Sequence, residues 1–180
     1  MKWSKHKKNF IIFDFVMIII LIAIDQYTKH LAVLHLKDKP AFSIINGVFE
    51  LNYLENRGAA FGMLQNQKGF FILISCIVLI AICYILIKMP EGKKYNILHI
   101  LLVLIASGAI GNMIDRVRLE YVVDFFYFVL INFPIFNVAD IYVTCAAIAL
   151  LILGLIFYKD DDIERIFPSK KNSIKFEEKV

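Results

Sequence analysis

Four apolar runs, each close to the length of a membrane span, constrain this chain more than anything else in it. A helix rises about 1.5 Å per residue, so about 20 apolar residues cross a hydrocarbon core of about 30 Å. The runs cover about 10–28, 69–87, 97–114 and 138–158. The second carries no charge, and the third is interrupted mainly by His99, Ser107 and glycines. Helix is the expected form of each, because lipid offers backbone N–H and C=O groups no partner. Hydrophobic residues make up 59% of the 180, with mean hydropathy +0.68. Soluble domains usually hold about 45–50%. The expected fold class is an all-α integral membrane protein with four transmembrane helices.

Charge supplies an orientation. Basic residues cluster at Lys2–Lys8, around Lys88–Lys94 and after Tyr158, and each cluster flanks an apolar run. That placement argues against a nucleic-acid partner and for the positive-inside rule. With the N-terminus inside, inner segments hold 13 of the 20 Lys and Arg and outer segments hold 7. Both termini are therefore expected in the cytoplasm, as an even number of spans requires. The organisation reads as a short cytoplasmic N-terminus (1–9), one membrane domain (10–158) and a solvated, partly disordered cytoplasmic tail (159–180). The first run resembles a signal peptide, but no small-x-small cleavage site follows, so it reads as a retained anchor. Cys76, Cys83 and Cys145 lie inside apolar runs without metal-ligand spacing and read as small buried side chains.

Two outer connections remain. In the first, about 30–68, Asn46-Gly47 stands between β-prone residues and signals a hairpin. A small β-cradle at the membrane surface between helices 1 and 2 is expected there. The second, about 115–137, is unusually apolar for a loop. It reads as an interfacial segment or a short continuation of the third helix, ended by Pro134. A fifth, partial membrane segment is the alternative.

Ionisable residues in or beside a membrane are costly and need an account. Apart from Asp14 and His99, they gather toward the outer helix ends. Asp25 and Lys29 are four apart on one helix face and read as a structural pair, with Lys29 suiting a helix C-terminus. Asn112 and Arg116 share the same spacing. They suit either holding peptide carbonyls and carboxylates or anchoring the helix at the interface. Asp140 falls at the third position of a helix capped by Asn137, a placement that stabilises a helix start by itself.

Asp124 has no such local reason. It sits between Val122-Val123 and Phe125-Phe126, and a buried carboxylate must be protonated, paired or functional. Asp124 and Asp140 bracket one short connection, so folding can bring them close. Two close carboxyls tend to share a proton, which supplies a base for water and an acid for a leaving amine. Such chemistry needs no metal, cofactor or covalent nucleophile, and none is expected. No Gly-x-Ser-x-Gly or His-Glu-x-x-His is present, and His6, His30, His35 and His99 are dispersed. Two other classes fit buried acids. A proton-coupled transporter would use Asp124 and Asp140 as a relay, with acids at the bilayer midplane and a repeat in the chain. A non-catalytic assembly subunit would tolerate Asp→Asn at both.

Five motifs, in order along about 25–140, carry a resemblance. They are Asp25-Gln26-Tyr27-Thr28-Lys29, Glu55-Asn56-Arg57-Gly58-Ala59-Ala60-Phe61, Gly108-Ala109-Ile110-Gly111-Asn112-Met113-Ile114-Asp115-Arg116, Val122-Val123-Asp124-Phe125 and Phe136-Asn137-Val138-Ala139-Asp140. Together they resemble the lipoprotein signal peptidases (signal peptidase II). The resemblance implies a bacterial inner-membrane aspartyl endopeptidase, active near the outer face. It would cut prolipoproteins just before a diacylglyceryl-modified cysteine. It implies Asp124 and Asp140 as the catalytic pair, and Asn56, Gly58, Asn112, Arg116 and Asn137 around substrate and dyad. It implies Asp25 and Lys29 as a structural pair. Prolipoproteins and membrane lipid are the implied partners, and a monomer is expected. Ser107 before Gly108 and Ile141 after Asp140 depart from the family's usual residues, which bears on substrate preference.

Overall fold

The computed structural model describes residues 4–59 and 63–166. Ala60 and Phe61 of the second motif, and the tail beyond Ile166, lie outside the described residues. Helix α1 spans Lys5–Leu36, capped by Ser4, whose Oγ accepts the Lys7 N–H at 3.0 Å. Strands β1 (Phe42–Ile45) and β2 (Phe49–Asn56) follow, then α2 (Lys68–Lys88) and α3 (Asn96–Leu119). Strand β3 (Val122–Tyr127), α4 (Val138–Ile156) and the short α5 (Asp160–Ile166) complete the order. The first four long helices are each long and apolar enough to cross a membrane, as the four runs predict.

Helix α3 sits at the centre and packs against α1, α2 and α4. Its close approaches depend on two glycines. A Cβ on Gly108 would lie 2.5 Å from the Ala139 carbonyl oxygen, and one on Gly111 would lie 2.5 Å from Asp25 Oδ2. Ser107 is fully buried and donates to the Val103 carbonyl at 2.7 Å. That departure therefore stays inside the helix packing and away from the site. At the opposite end of the bundle, Asp14 and His99 join α1 to α3 at 2.7 Å, both buried.

Five expectations change. Helix α1 runs about two turns beyond residue 28, because Ala32 and Leu36 keep burying one stripe against Val123 and Phe125. Helix α3 likewise continues to Leu119, where Glu120 caps it at φ 71°. The apolar connection continues α3 only as far as Leu119, and no further helix of membrane length follows before α4. Val122–Tyr127 is a strand, antiparallel to β2, so the sheet has the order β1-β2-β3 and draws its third strand from between α3 and α4. Glu120's left-handed turn ends the helix, and the β-branched and aromatic run that follows pairs as a strand. The tail begins with α5, held where Lys94 and the Lys159 N–H meet the Asp162 carboxylate. Finally, Cys76, Cys83 and Cys145 are exposed instead of buried in the core; the outer face of such a bundle meets lipid and is itself apolar, and Cys145 lines a cavity.

The hairpin expectation holds. Residues 46–48 turn between β1 and β2 with Gly47 at φ 70°, and the Val48 N–H donates to Ile45 at 2.9 Å.

Candidate active site

The site begins with a buried lysine. Lys29 Nζ lies 2.9 Å from Asp25 Oδ2, 3.0 Å from Asp115 Oδ2 and 2.8 Å from Asn112 Oδ1. The expected Asp25–Lys29 pair is present, but Lys29 is mid-helix, so its charge answers carboxylates and not the helix terminus. Both acids also hold backbone. Asp25 Oδ1 accepts the Ala139 N–H at 3.0 Å and Asp115 Oδ2 accepts the Val123 N–H at 3.2 Å. The pair thus fastens the first turn of α4 and the start of β3 to the helix bundle. Asp115 and Gln26 were not singled out for this by sequence reasoning. Gln26 Nε2 donates to Asp115 Oδ1 at 2.9 Å and to the Gly111 carbonyl at 3.2 Å. Their signal was available, since both stand inside the motifs beside Lys29 and Arg116.

Strand alternation aims Asp124. Val123 and Phe125 enter the cluster with Ala32 and Leu36, while Val122 and Asp124 face the cavity. A slip of one residue would exchange the two sets. The register is set by β2, where Leu54 stands opposite Asp124 and Asn56 opposite Val122. Asn56 Nδ2 donates to Asp124 Oδ2 at 2.8 Å, and its own Oδ1 accepts the Gly58 N–H at 2.9 Å.

Asn137 links the two acids. Its Nδ2 donates to Asp124 Oδ1 at 2.6 Å, and its backbone N–H donates to Asp140 Oδ2 at 3.1 Å. The Asp140 N–H returns a bond to Asn137 Oδ1 at 3.0 Å, which closes the capping box expected at the start of α4. Asn112 completes the set: Nδ2 donates to Asp140 Oδ1 at 2.8 Å, while Oδ1 accepts from Lys29 and from Asn137 Nδ2. Since the Asn112 oxygen faces two donors, its amide has one sensible orientation. Arg116 lies over the Phe71 ring at 4.5 Å, with Nη2 donating to the Gly58 carbonyl at 3.2 Å. Asp124, Asp140 and the five residues named around them therefore meet, with Asp25 and Lys29 behind them.

Asp124 is 1% exposed. Burial, and then the neighbouring Asp140, push its carboxyl up to about 7 from an ordinary 3.8, against the opposing bonds from Asn56 and Asn137. Both acids open on a cavity of about 480 Å³ whose walls include Phe71, Phe136, Ile141, Thr144 and Cys145. Sequence reasoning did not place Phe71, Thr144 or Cys145 at the site, because their runs look like uniform lipid-facing helix. The arrangement offers one carboxyl set to hold a proton near neutrality, a second at a helix start, and an apolar chamber beside them. That combination suits acid–base hydrolysis of a bond presented from the membrane.

Residues 17–157 match the family described as signal peptidase (SPase) II. The lipoprotein signal peptidase of Caldanaerobacter subterraneus subsp. tengcongensis is 48% identical over 136 residues, covering 75% of this chain and 90% of that protein. That of Streptococcus thermophilus is 45% identical over 147 residues, covering 82% and 93%. A solved bacterial membrane enzyme, determined by the in meso method, superposes with TM-score 0.70 at 34% identity, covering 81% of this chain and 94% of its own. With its dyad, its four spans and these relatives agreeing, the chain belongs to the signal peptidase II family.

Proposed function

We propose that Asp124 and Asp140 are the catalytic pair with which this chain hydrolyses prolipoproteins, removing the signal peptide just before a diacylglyceryl-modified cysteine. The observation that carries the reading is Asn137, which hydrogen-bonds both carboxyls at once and so holds them on one reacting centre. We assign the resting proton to Asp124, whose carboxyl is pushed upward by burial and by the neighbouring Asp140. Asp140 is the ionised partner, with both oxygens accepting N–H bonds at the start of α4, where a helix favours negative charge. Asp140 takes a proton from water, and the water attacks the scissile carbonyl. Asp124 donates a hydrogen bond to the carbonyl oxygen. The tetrahedral intermediate then collapses as Asp140 gives the proton it took from water to the nitrogen, which leaves as the new amino terminus. Arg116, steadied on Phe71 and on the Gly58 carbonyl, is placed to hold substrate carbonyls.

The apolar cavity beside the dyad suits acyl chains, which favours a substrate arriving from the bilayer. The lysine and arginine distribution supports cytoplasmic termini and a site near the outer face. A proton-coupled transporter has nothing comparable in its favour, since Asp140 stands at a helix start, Asp124 on a strand, and the family is that of a peptidase.

The test is cleavage of a purified diacylglyceryl-modified prolipoprotein in liposomes, with a metal chelator present throughout. Cleavage before the lipidated cysteine by the parent chain, abolished in both Asp124→Asn and Asp140→Asn, is the expected result. Full activity in either folded variant would remove the dyad assignment.

A further inference from the structure

A second cavity, of about 490 Å³, lies beyond the dyad. It meets the first along Asn56, Ala59 and Phe133–Ile135, which line both. The two chambers differ in chemistry. The first holds the acids and is walled by aromatic and aliphatic side chains. The second contains neither acid of the pair, and four of its eleven lining residues are amides: Asn52, Asn56, Gln65 and Asn132.

The amides form a row because β2 alternates. Leu51 and Tyr53 pack on the cluster beneath the sheet, so Asn52, Leu54 and Asn56 share the opposite face, and all three line the cavity. The row starts at Asn56, which bonds Asp124 directly, and leads away from the dyad for about 13 Å, four strand residues. Among the described residues, the side chains of Asn52 and Gln65 have no hydrogen-bond partner. Tyr127 donates to Asn132 Oδ1 at 2.6 Å and so orients that amide. The one acid in the wall, Glu55, is already paired with Lys37 at 2.9 Å and Arg57 at 3.7 Å.

We infer that this amide-lined cavity is the subsite for the mature side of the substrate, binding in extended form the three or four polar residues that follow the cut. The inference rests on the dyad assignment above. A peptide leaving the dyad away from the apolar chamber enters the row at Asn56, where this cavity adjoins the first. Uncharged amides carry both a donor and an acceptor, as each peptide unit does. They read the main chain and tolerate varied polar side chains, whereas an unpaired charge would select one sign. The lipidated cysteine is the first residue after the cut, so its acyl chains branch into the apolar chamber while the polar residues that follow it continue along the amide row.

Two diacylglyceryl-modified substrate peptides in liposomes test this, one ending at the lipidated cysteine amide and one continuing for four polar residues. The parent chain should cleave the longer peptide about tenfold more efficiently by kcat/KM, the scale of two amide hydrogen bonds. Asn52→Leu with Asn132→Leu should lose that preference and cleave the short peptide as the parent does. Gln65→Leu, in an exposed loop that leaves folding intact, should lose part of it. Equal cleavage of both peptides by the parent chain would overturn the subsite, and so would variants that lose the same factor on both. The dyad reading fails separately, if Asp124→Asn still cleaves the short peptide.

Discussion

Replacing Asp124 with asparagine removes a titratable group that the fold holds far from its ordinary range. The carboxyl stands near 3.8 in an unfolded chain and is pushed up to about 7 here, by burial first and by Asp140 second. Between those values the native chain binds the proton that the unfolded chain has released. Stability from this group is therefore fully present below about pH 4 and is lost as pH rises to about 7. At about 1.4 kcal/mol per pH unit, the parent chain loses about 4 kcal/mol across that window relative to the variant. A second effect opposes it. Asn56 and Asn137 both donate to Asp124, and an asparagine has one acceptor oxygen where the carboxyl has two. One buried donor is left unmatched, costing about 1–3 kcal/mol at every pH. Asp124→Asn is then less stable than the parent at pH 4 and more stable above pH 7, and the two curves cross between. Unfolding in mixed micelles titrated with a denaturing detergent, repeated from pH 4 to 8, measures the difference. A stability difference that does not change with pH would refute the protonated, buried state of Asp124 and the role drawn from it.

The same state sets the activity profile: kcat/KM should fall about tenfold per pH unit above about pH 7, as Asp124 loses its proton. An activity that rises across pH 7–9 would assign the proton elsewhere. Arg116→Lys should lower turnover by about 10- to 100-fold in the liposome cleavage assay, because a point charge replaces a planar fork stacked on Phe71. Near-parental turnover would remove its positioning role. Lys29→Met should destabilise the fold by about 3–5 kcal/mol, since Asp25 and Asp115 stay buried without their cation; an unchanged unfolding midpoint would contradict this. Gly111→Ala places a Cβ 2.5 Å from Asp25 Oδ2 and should cost about 1–3 kcal/mol in the same measurement. Parental stability there would mean that α1 and α3 can separate freely.

The sequence alone determined the four spans, because hydropathy over about 20 residues is a local property that lipid enforces. It determined the capping box of Asn137 and Asp140, since N-caps depend on neighbours three residues away. The hairpin at Asn46-Gly47 was legible for the same reason. Asp124 was legible as an anomaly, a carboxyl without a local partner, although its strand was not. Val122–Tyr127 becomes a strand only because β2, some 70 residues earlier in the chain, offers it an edge, and such pairing leaves no local trace beyond β-prone residues. The lengths of α1 and α3 were likewise hidden, because their last turns are kept by the sheet they pack on and by Lys29's carboxylates. Tertiary structure also decided the work of Lys29. Spacing showed a pair with Asp25, but the contacts with Asp115 and Asn112 come from a helix more than 80 residues away. Residue types and short spacings thus named the chemistry. Only the packing of α1, α3, α4 and β3 brought the two carboxyls onto one asparagine, because contacts between distant segments are a property of the whole fold and not of any local stretch.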